Sequence, residues 1–369
     1  MLTAESRRSD FPTLAQMTYL NTAAEGIVPL CVGDALRQYF ADKQLGMDGR
    51  DRHFAELRSL QALTAEFFGL TEDEIAVCSC TSEAYNLLAS ALRLQPGDEV
   101  VVNDLDFPSG VTPWLQNWEV SATRVWRSRD GALRCEDLLP LLGPRTRLVT
   151  TSLVSFYNGF RLELPEFLDT VRRSSPALVA VDVTQALGRI PLDLRGVDWI
   201  VSSTHKWILG PHGGGLVGVP RARMQELTAQ AGGWYHLHEP FGAERFERAV
   251  SQPGAASFAV GMPNFPAIYA TRAALNYIRH VGVAAINAAA SPLVEQCLTG
   301  LRKLPIQLLT HPEAPRAGIL AFQHPNAEQL HRELRQRGIH LMCSAGRLRI
   351  AIHGYNTTRD IEQLLEALR

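Results

Sequence analysis

Seven short apolar runs, near 75–79, 100–104, 123–128, 148–154, 178–183, 199–203 and 215–219, are mostly separated by stretches long enough for a helical crossover. Runs of this kind, apolar on both faces, belong in a largely parallel sheet covered by helices on each side, so the pattern specifies an α/β fold. Helices are expected near Gly33 to Gly46 and Phe54 to Gly69. From about Pro263 the rhythm changes. A long helix from Phe265 to Val281, strands near 317–323 and 347–352, and helices near 326–337 and 358–368 predict a second, smaller α/β unit. Gly213-Gly214-Gly215 lead into a strand and no GxGxxG run opens a helix, so a dinucleotide-binding fold is the poorer fit. With 369 residues, 46% of them hydrophobic, the chain is long enough for two domains and a large core.

The run Val197-Asp198-Trp199-Ile200-Val201-Ser202 passes directly into Ser203-Thr204-His205-Lys206. Open α/β sheets bind ligands at the carboxyl ends of their strands, and a lysine there is a candidate to form a Schiff base with an aldehyde cofactor. On its own, a lysine after a strand is most often a solvated surface residue. A second feature lies upstream, where the apolar strand Ala177-Leu178-Val179-Ala180-Val181 ends in Asp182. A carboxylate in such surroundings needs a cationic partner. In enzymes that use pyridoxal 5'-phosphate (PLP), that partner is the protonated pyridine nitrogen. The plainer reading is a strand-end aspartate capping a turn, and it weakens once Lys206 stands on a later strand.

The stretch Val181-Asp182-Val183-Thr184-Gln185-Ala186-Leu187-Gly188, followed by Ser203-Thr204-His205-Lys206, resembles the class V aminotransferase family of fold-type I PLP enzymes. Cysteine desulfurases, selenocysteine lyases, isopenicillin N epimerase-like proteins and kynureninases belong to that family. The resemblance runs from Tyr19-Leu20-Asn21-Thr22-Ala23-Ala24 to Tyr355-Asn356-Thr357, with the motifs in family order. It implies a large domain with a mostly parallel seven-stranded sheet over 26–262, preceded by an amino-terminal arm over 1–25 and followed by a small α/β domain over 263–369. It also implies a homodimer with PLP between the domains.

Residue by residue, the resemblance makes Lys206 the cofactor-bound lysine and Asp182 the pyridinium partner, with Gln185 donating to the cofactor's phenolic oxygen and Ser203 and His205 reaching its phosphate. Cys80-Thr81-Ser82-Glu83-Ala84-Tyr85-Asn86 matches a phosphate-binding segment at a helix start, where Thr81 and Ser82 add hydroxyls to free backbone N–H groups. A simple Ser/Thr helix cap is the compatible alternative. Phe107 occupies the position of a histidine that stacks on the cofactor ring in many relatives; it can stack but cannot transfer a proton. Arg349 falls on the arginine for the substrate α-carboxylate, and Asn21 lies among the residues expected around the substrate, with Tyr157, Trp234, Tyr235 and His236. From alternation alone, Arg347 and Arg349 read equally well as the solvated face of a half-buried strand.

Departures from the family pattern narrow the expected function. Gly338 to Gly346 runs almost directly into Leu348-Arg349, leaving no room for the long cysteine-bearing loop of persulfide-forming desulfurases, and Cys343 does not match its motif. Phe156 replaces an asparagine that contacts the cofactor, with Asn158 as a possible substitute. Met262 replaces a threonine that reaches the neighbouring subunit's phosphate site, with Ser257 or backbone N–H groups as substitutes.

A formal charge of -2 gives no reason to expect nucleic acid or an anionic membrane as partner. The six cysteines form no CxxC pair, the eleven histidines are scattered, and no metal site is expected. Residues 1–10 lack an apolar signal-peptide core and no stretch is long enough to span a bilayer, which points to a cytoplasmic enzyme. The expected activity is PLP chemistry on a small amino acid through its Schiff base: transamination, β-elimination of the C–S lyase type, or epimerisation. Persulfide transfer is not expected. The reading from a different class is a PLP-binding sensor or structural protein with little turnover.

Overall fold

A computed structural model of the chain describes residues 2–116 and 119–369. All seven expected strands form, as β1 (Ile75–Cys78), β2 (Asp98–Asn103), β3 (Ser121–Trp126), β4 (Thr146–Ser152), β5 (Leu178–Asp182), β6 (Trp199–Ser203) and β7 (Gly215–Gly218). They make one sheet in the order β1-β7-β6-β5-β4-β2-β3. Every pairing from β6 through to β3 is parallel, whereas β7 runs antiparallel to both β6 and β1. The exception has a direct cause. No helix separates β6 from β7, so the short connection that carries Lys206 can only turn back on itself.

Alternate residues of the strands feed two apolar layers. Val101, Val149, Val179, Val181 and Ile200 pack with α2 (Arg50–Phe68) and with Phe167 and Val171 of α4 (Leu164–Ser174). Val100, Val102, Leu148, Ala180 and Val201 face α3 (Thr81–Leu92) and Phe258. The helix before these, α1 (Leu30–Lys43), starts three residues ahead of its expected position, directly after Pro29. α2 ends where Gly69 adopts φ +70°, a left-handed cap that suits glycine.

Towards the carboxyl terminus, α5 (Phe265–Val281) lies along α1 and α2 and buries Ile268 and Leu275 in the first layer. The chain then bends by 75° at Gly282 into α6 (Val283–Leu301). A four-stranded antiparallel sheet follows, centred on β8 (Ile319–Gln323) and β9 (Arg347–Ala351), with Gln307–Leu308 and Met342–Ser344 at its edges. Its own core joins α6, α7 (Ala327–Gln336) and α8 (Thr358–Ala367). The amino-terminal arm is woven into this unit. Thr18–Tyr19 pairs in parallel with Ile339–His340, Leu20 enters the core, and Asn21 bridges to Ala351. Among the described residues no single helix is long and apolar enough to cross a membrane.

Candidate active site

The carboxyl ends of β5 and β6 lie side by side in the middle of the sheet, which brings Asp182, Ser203 and the loop of Lys206 together. Asp182 is buried, and its Oδ1 accepts from the Thr184 backbone N–H at 2.7 Å. The hydroxyl of Thr184 in turn accepts from the Ser203 N–H at 2.9 Å, locking one strand end to the other. Burial raises the Asp182 carboxyl above its ordinary value, against the Thr184 hydrogen bonds and the charge of Lys206. Burial also pushes Lys206 down to about 8, with Asp182 opposing and Arg349 adding to the shift. The lysine is thereby held close to a change of charge, the condition under which it is a nucleophile near neutral pH.

The Lys206 loop is braced from below and from the side. Gly26 N donates to His205 O at 2.8 Å, and a Cβ on Gly26 would lie 2.1 Å from Lys206 O, so only glycine fits this crossing of the arm. Trp207 is buried; its indole Nε1 donates to Gln185 Oε1 at 2.6 Å and its carbonyl accepts from His353 Nε2 at 2.8 Å. Gln185 is thus anchored at both ends, its Nε2 donating to Ala23 O at 3.1 Å, and it retains one N–H for a ligand. His353 also accepts from the Gly354 N–H, which fixes it as the neutral tautomer, and burial holds it down to about 3. Nothing in the residue pattern signals this His353–Trp207 support, which joins positions 146 residues apart.

Above the lysine, Lys206 Nζ lies 5.2 Å from the Phe107 ring centroid, and Phe107 meets Phe156 edge-on at 5.0 Å. Beside it, Asp106 accepts from the Ser152 hydroxyl and from Asn103 Nδ2, the latter at 2.9 Å. Burial raises Asp106 to about 7 against the Ser152 bond, with repulsion from Asp182 adding to the effect. Asp106 is a carboxyl group that the sequence reading missed. Its place between a strand end and Phe107 was the only available signal.

Cys80 caps α3, its sulfur accepting from the Glu83 N–H, with Thr81 and Ser82 as the first two helical residues. Neither hydroxyl is engaged by another described residue. His205 stacks on His212 at 4.1 Å, and His212 Nε2 meets Glu25 Oε1 at 2.7 Å. Burial lowers His205 to about 4, so it is neutral and offers an N–H. The donor atoms of Glu25, His205 and His212 fall within 4.8 Å of one another, a juxtaposition that their scatter in the sequence conceals.

Arg349 and Arg347 are both buried, which overturns the solvated-face alternative. Each donates to a backbone carbonyl of the loop after β4, Arg349 Nη1 to Phe156 O at 2.9 Å and Arg347 Nη1 to Tyr157 O. Four expected site residues keep a buried polar atom with no partner among the described residues: Asn21 Oδ1, Ser203 Oγ, His236 Nδ1 and Arg349 Nε. Unsatisfied polar atoms of this kind are costly in a finished core and are the ordinary mark of a site that binds a polar ligand.

Several expected substitutes are otherwise committed. Asn158 spends its side chain on Gly131 O, Leu309 O and Phe160 N, so it does not stand in for the asparagine replaced by Phe156. Ser257 is occupied by Gly254 O and Ala229 N, while Met262 is 45% exposed. His236 is buried with Nε2 on Ala231 O, and Tyr235 stacks on Phe54 of α2, so the tyrosine serves packing. The three glycines before β7 cradle no anion. A Cβ on Gly214 or Gly215 would strike Thr204 or Cys78 at 2.8 Å, so they serve close packing.

The family model for aminotransferase class-V matches residues 18–364. The chain belongs to this family. It is 24% identical over 367 residues to the uncharacterized aminotransferase YcbU of Bacillus subtilis (strain 168), covering 99% of this chain and 97% of that one. It is 30% identical to a probable cysteine desulfurase of Mycolicibacterium paratuberculosis, covering 98% of this chain and 57% of that protein. Among solved structures, a lysine-to-alanine variant of C-DES with glycine covalently linked to its PLP cofactor superposes with a TM-score of 0.88 at 25% identity, each chain 98% covered. The apo cysteine desulfurase of Thermococcus onnurineus NA1 gives 0.90 at 20% identity, over 99% of this chain and 97% of that one, which establishes the shared fold. This class V aminotransferase is therefore a PLP-dependent enzyme of fold type I. The residues at its strand ends suit the cofactor: a depressed lysine, a buried carboxylate, an exposed aromatic ring, a helix amino terminus with two free hydroxyls, and the unpartnered Ser203 hydroxyl.

Proposed function

We propose that this enzyme acts at the α-carbon of a small amino acid, with amino transfer as the reaction its geometry supports best. The observation that carries the reading is Lys206 Nζ, lowered to about 8 between Asp182 and Arg349 with Phe107 opposite. When bound, PLP supplies an electron sink that acidifies the α-proton and an aldehyde carbon that takes up the amino group. Lys206 would hold the cofactor and, once displaced by the substrate amine, take the proton from Cα and pass it to the carbon that receives the amino group. Asp182 would keep a positive charge on the pyridine nitrogen, Thr81, Ser82, Ser203 and His205 would hold the phosphate, and Arg349 would orient the α-carboxylate with Asn21 alongside. Inversion at Cα needs a second acid–base group on the far side, and Phe107 offers no proton.

We read the site as one that works without a persulfide relay through a cysteine. Met342–Ser344 and β9 join through Ala345 and Gly346 alone, at φ +51° and +75°, the left-handed pair of a tight two-residue hairpin. Cys343 pairs with Leu348 and packs on the apolar core under α7, whereas Arg349 belongs to the opposite face. A C–S lyase is the second reading, favoured by the match to C-DES, a cystine C–S lyase solved with cysteine persulfide at a TM-score of 0.87.

The assembly we propose is a cytoplasmic homodimer, supported by the exposed Leu30 and Phe40 on α1 and Met47 just after it. Its units are an arm over 1–25, a cofactor domain over 26–262 and a small domain over 263–369, with α5 shared between the two larger parts. The test is the absorbance of the PLP-loaded protein after L-alanine or L-cysteine is added without an acceptor. Amino transfer predicts loss of the yellow colour until a 2-oxo acid restores it. Recovery without an acceptor, with sulfide accumulating from L-cysteine, would replace it with the lyase reading.

A further inference from the structure

Arg347 and Arg349 are two residues apart on β9, so they project from the same face of the strand with Cα atoms roughly 7 Å apart. Each is more than nine-tenths buried, and neither takes part in an ion pair among the described residues. Asp198 meets Arg172 and Arg223, and Asp360 meets Arg7, whereas the lone buried Arg189 is held by Ile352 O and the Asn287 amide oxygen. The two guanidiniums of β9 face each other's charge instead. Burial is the first cause that lowers Arg349, and Arg347 is the second.

Each donates one N–H group to a backbone carbonyl, leaving the rest of a planar, five-donor fork without an acceptor among the described residues. Arg347 is also fixed in place. Its guanidinium carbon lies 4.3 Å from the Tyr157 ring centroid and 5.5 Å from that of Phe156, the ring that packs on Phe107 over Lys206. A cation held on aromatic faces, with its fork open, is prepared for a carboxylate.

We propose that the pair reads an α-amino acid bearing a second carboxylate on its side chain, with Arg349 on the α-carboxylate and Arg347 on the distal one. The inference rests on the reading that this site takes an amino acid. It supplies what that reading lacks, the substrate's side-chain chemistry. One carboxylate would leave a buried guanidinium unanswered. Two carboxylates satisfy both, and the Phe156 and Tyr157 carbonyls set the two forks side by side.

The experiment titrates the PLP-loaded enzyme spectrally with L-aspartate, L-glutamate and L-alanine, alongside Arg347→Gln and Arg347→Lys. Calorimetry with succinate and propionate on the cofactor-free protein reads the same pair without any chemistry. One of the diacid amino acids is expected to saturate at a concentration at least about 10-fold below L-alanine, as one added charge-assisted contact would give. Succinate should bind more tightly than propionate by a similar factor. Arg347→Gln should abolish both preferences, and Arg347→Lys, which keeps the charge without the fork, should retain part of them. Equal affinity for diacids and monoacids overturns the proposal, as does a diacid preference that survives in a folded Arg347→Gln protein. Failure to turn yellow with PLP would instead strike the cofactor reading, and the succinate measurement would still decide the claim for Arg347.

Discussion

Lys206 carries the chemistry because its surroundings remove water without removing its counter-charge. Burial lowers it to about 8 from a usual 10.5, and Asp182 limits the fall. Below that value Nζ is charged and cannot attack a carbonyl; above it the amine is free. Capture of PLP by the cofactor-free protein should therefore accelerate as pH rises through about 8 and then level off, as stopped-flow absorbance would record. A rate flat across that range would contradict the assigned environment. Between about 8 and 10.5 the unfolded chain holds more protons at this lysine than the folded one, so this group's contribution to stability rises with pH over the same window. Gly26 makes a separate prediction. The added Cβ of Gly26→Ala meets Lys206 O at 2.1 Å, and the arm or the loop must yield, at about 1–3 kcal/mol. Thermal unfolding should show that loss together with weaker PLP retention, whereas Gly33→Ala, with only the Arg37 guanidinium nearby, should show neither.

At the scale of elements, strands were legible because hydrophobic runs buried on both faces leave a strong mark, and all seven lie within about two residues of their expected positions. The orientation of β9 was not legible. Period-two alternation places Arg347 and Arg349 on a common face, but whether that face meets water or the loop after β4 depends on tertiary packing. Lys206 and Asp182 could be found because they stand at the ends of apolar strands, whereas Arg349 is singled out only through the family resemblance. Asp106 and His353 could not be found, since their meaning arises from residues far away in the chain, Ser152 and Trp207 respectively. Asn158 failed as a substitute for the same reason, its amide being spent on Gly131 and Leu309. The tight turn at Ala345-Gly346 yields a prediction of its own. With Cys343 turned into the small core, Cys343→Ala should keep turnover within about threefold and cost no more than about 1 kcal/mol of stability, comparable to losing one small buried group. Loss of activity with the fold intact would restore a persulfide role.

Over the whole molecule, the proposed site draws on three sources: the sheet supplies Asp182 and Lys206, the small unit supplies Arg349, and the arm supplies Asn21, with Gly26 directly after it. The arm is fixed by pairing with the small unit, so disturbing any one part displaces residues of the others. In the homodimer proposed above, the apolar side chains exposed along α1, Phe40 among them at 63%, would form the interface between copies of this chain. Light scattering should give twice the 40.7 kDa chain mass, and Phe40→Asp should reduce it to one. The most direct test of the account is borohydride reduction of the PLP-loaded protein followed by peptide mapping. The chain has three lysines, Lys43, Lys206 and Lys303, and only Lys206 is not exposed. The account predicts a single stable adduct, on the peptide containing Lys206. An adduct on Lys43 or Lys303 alone, or none at all, would contradict it.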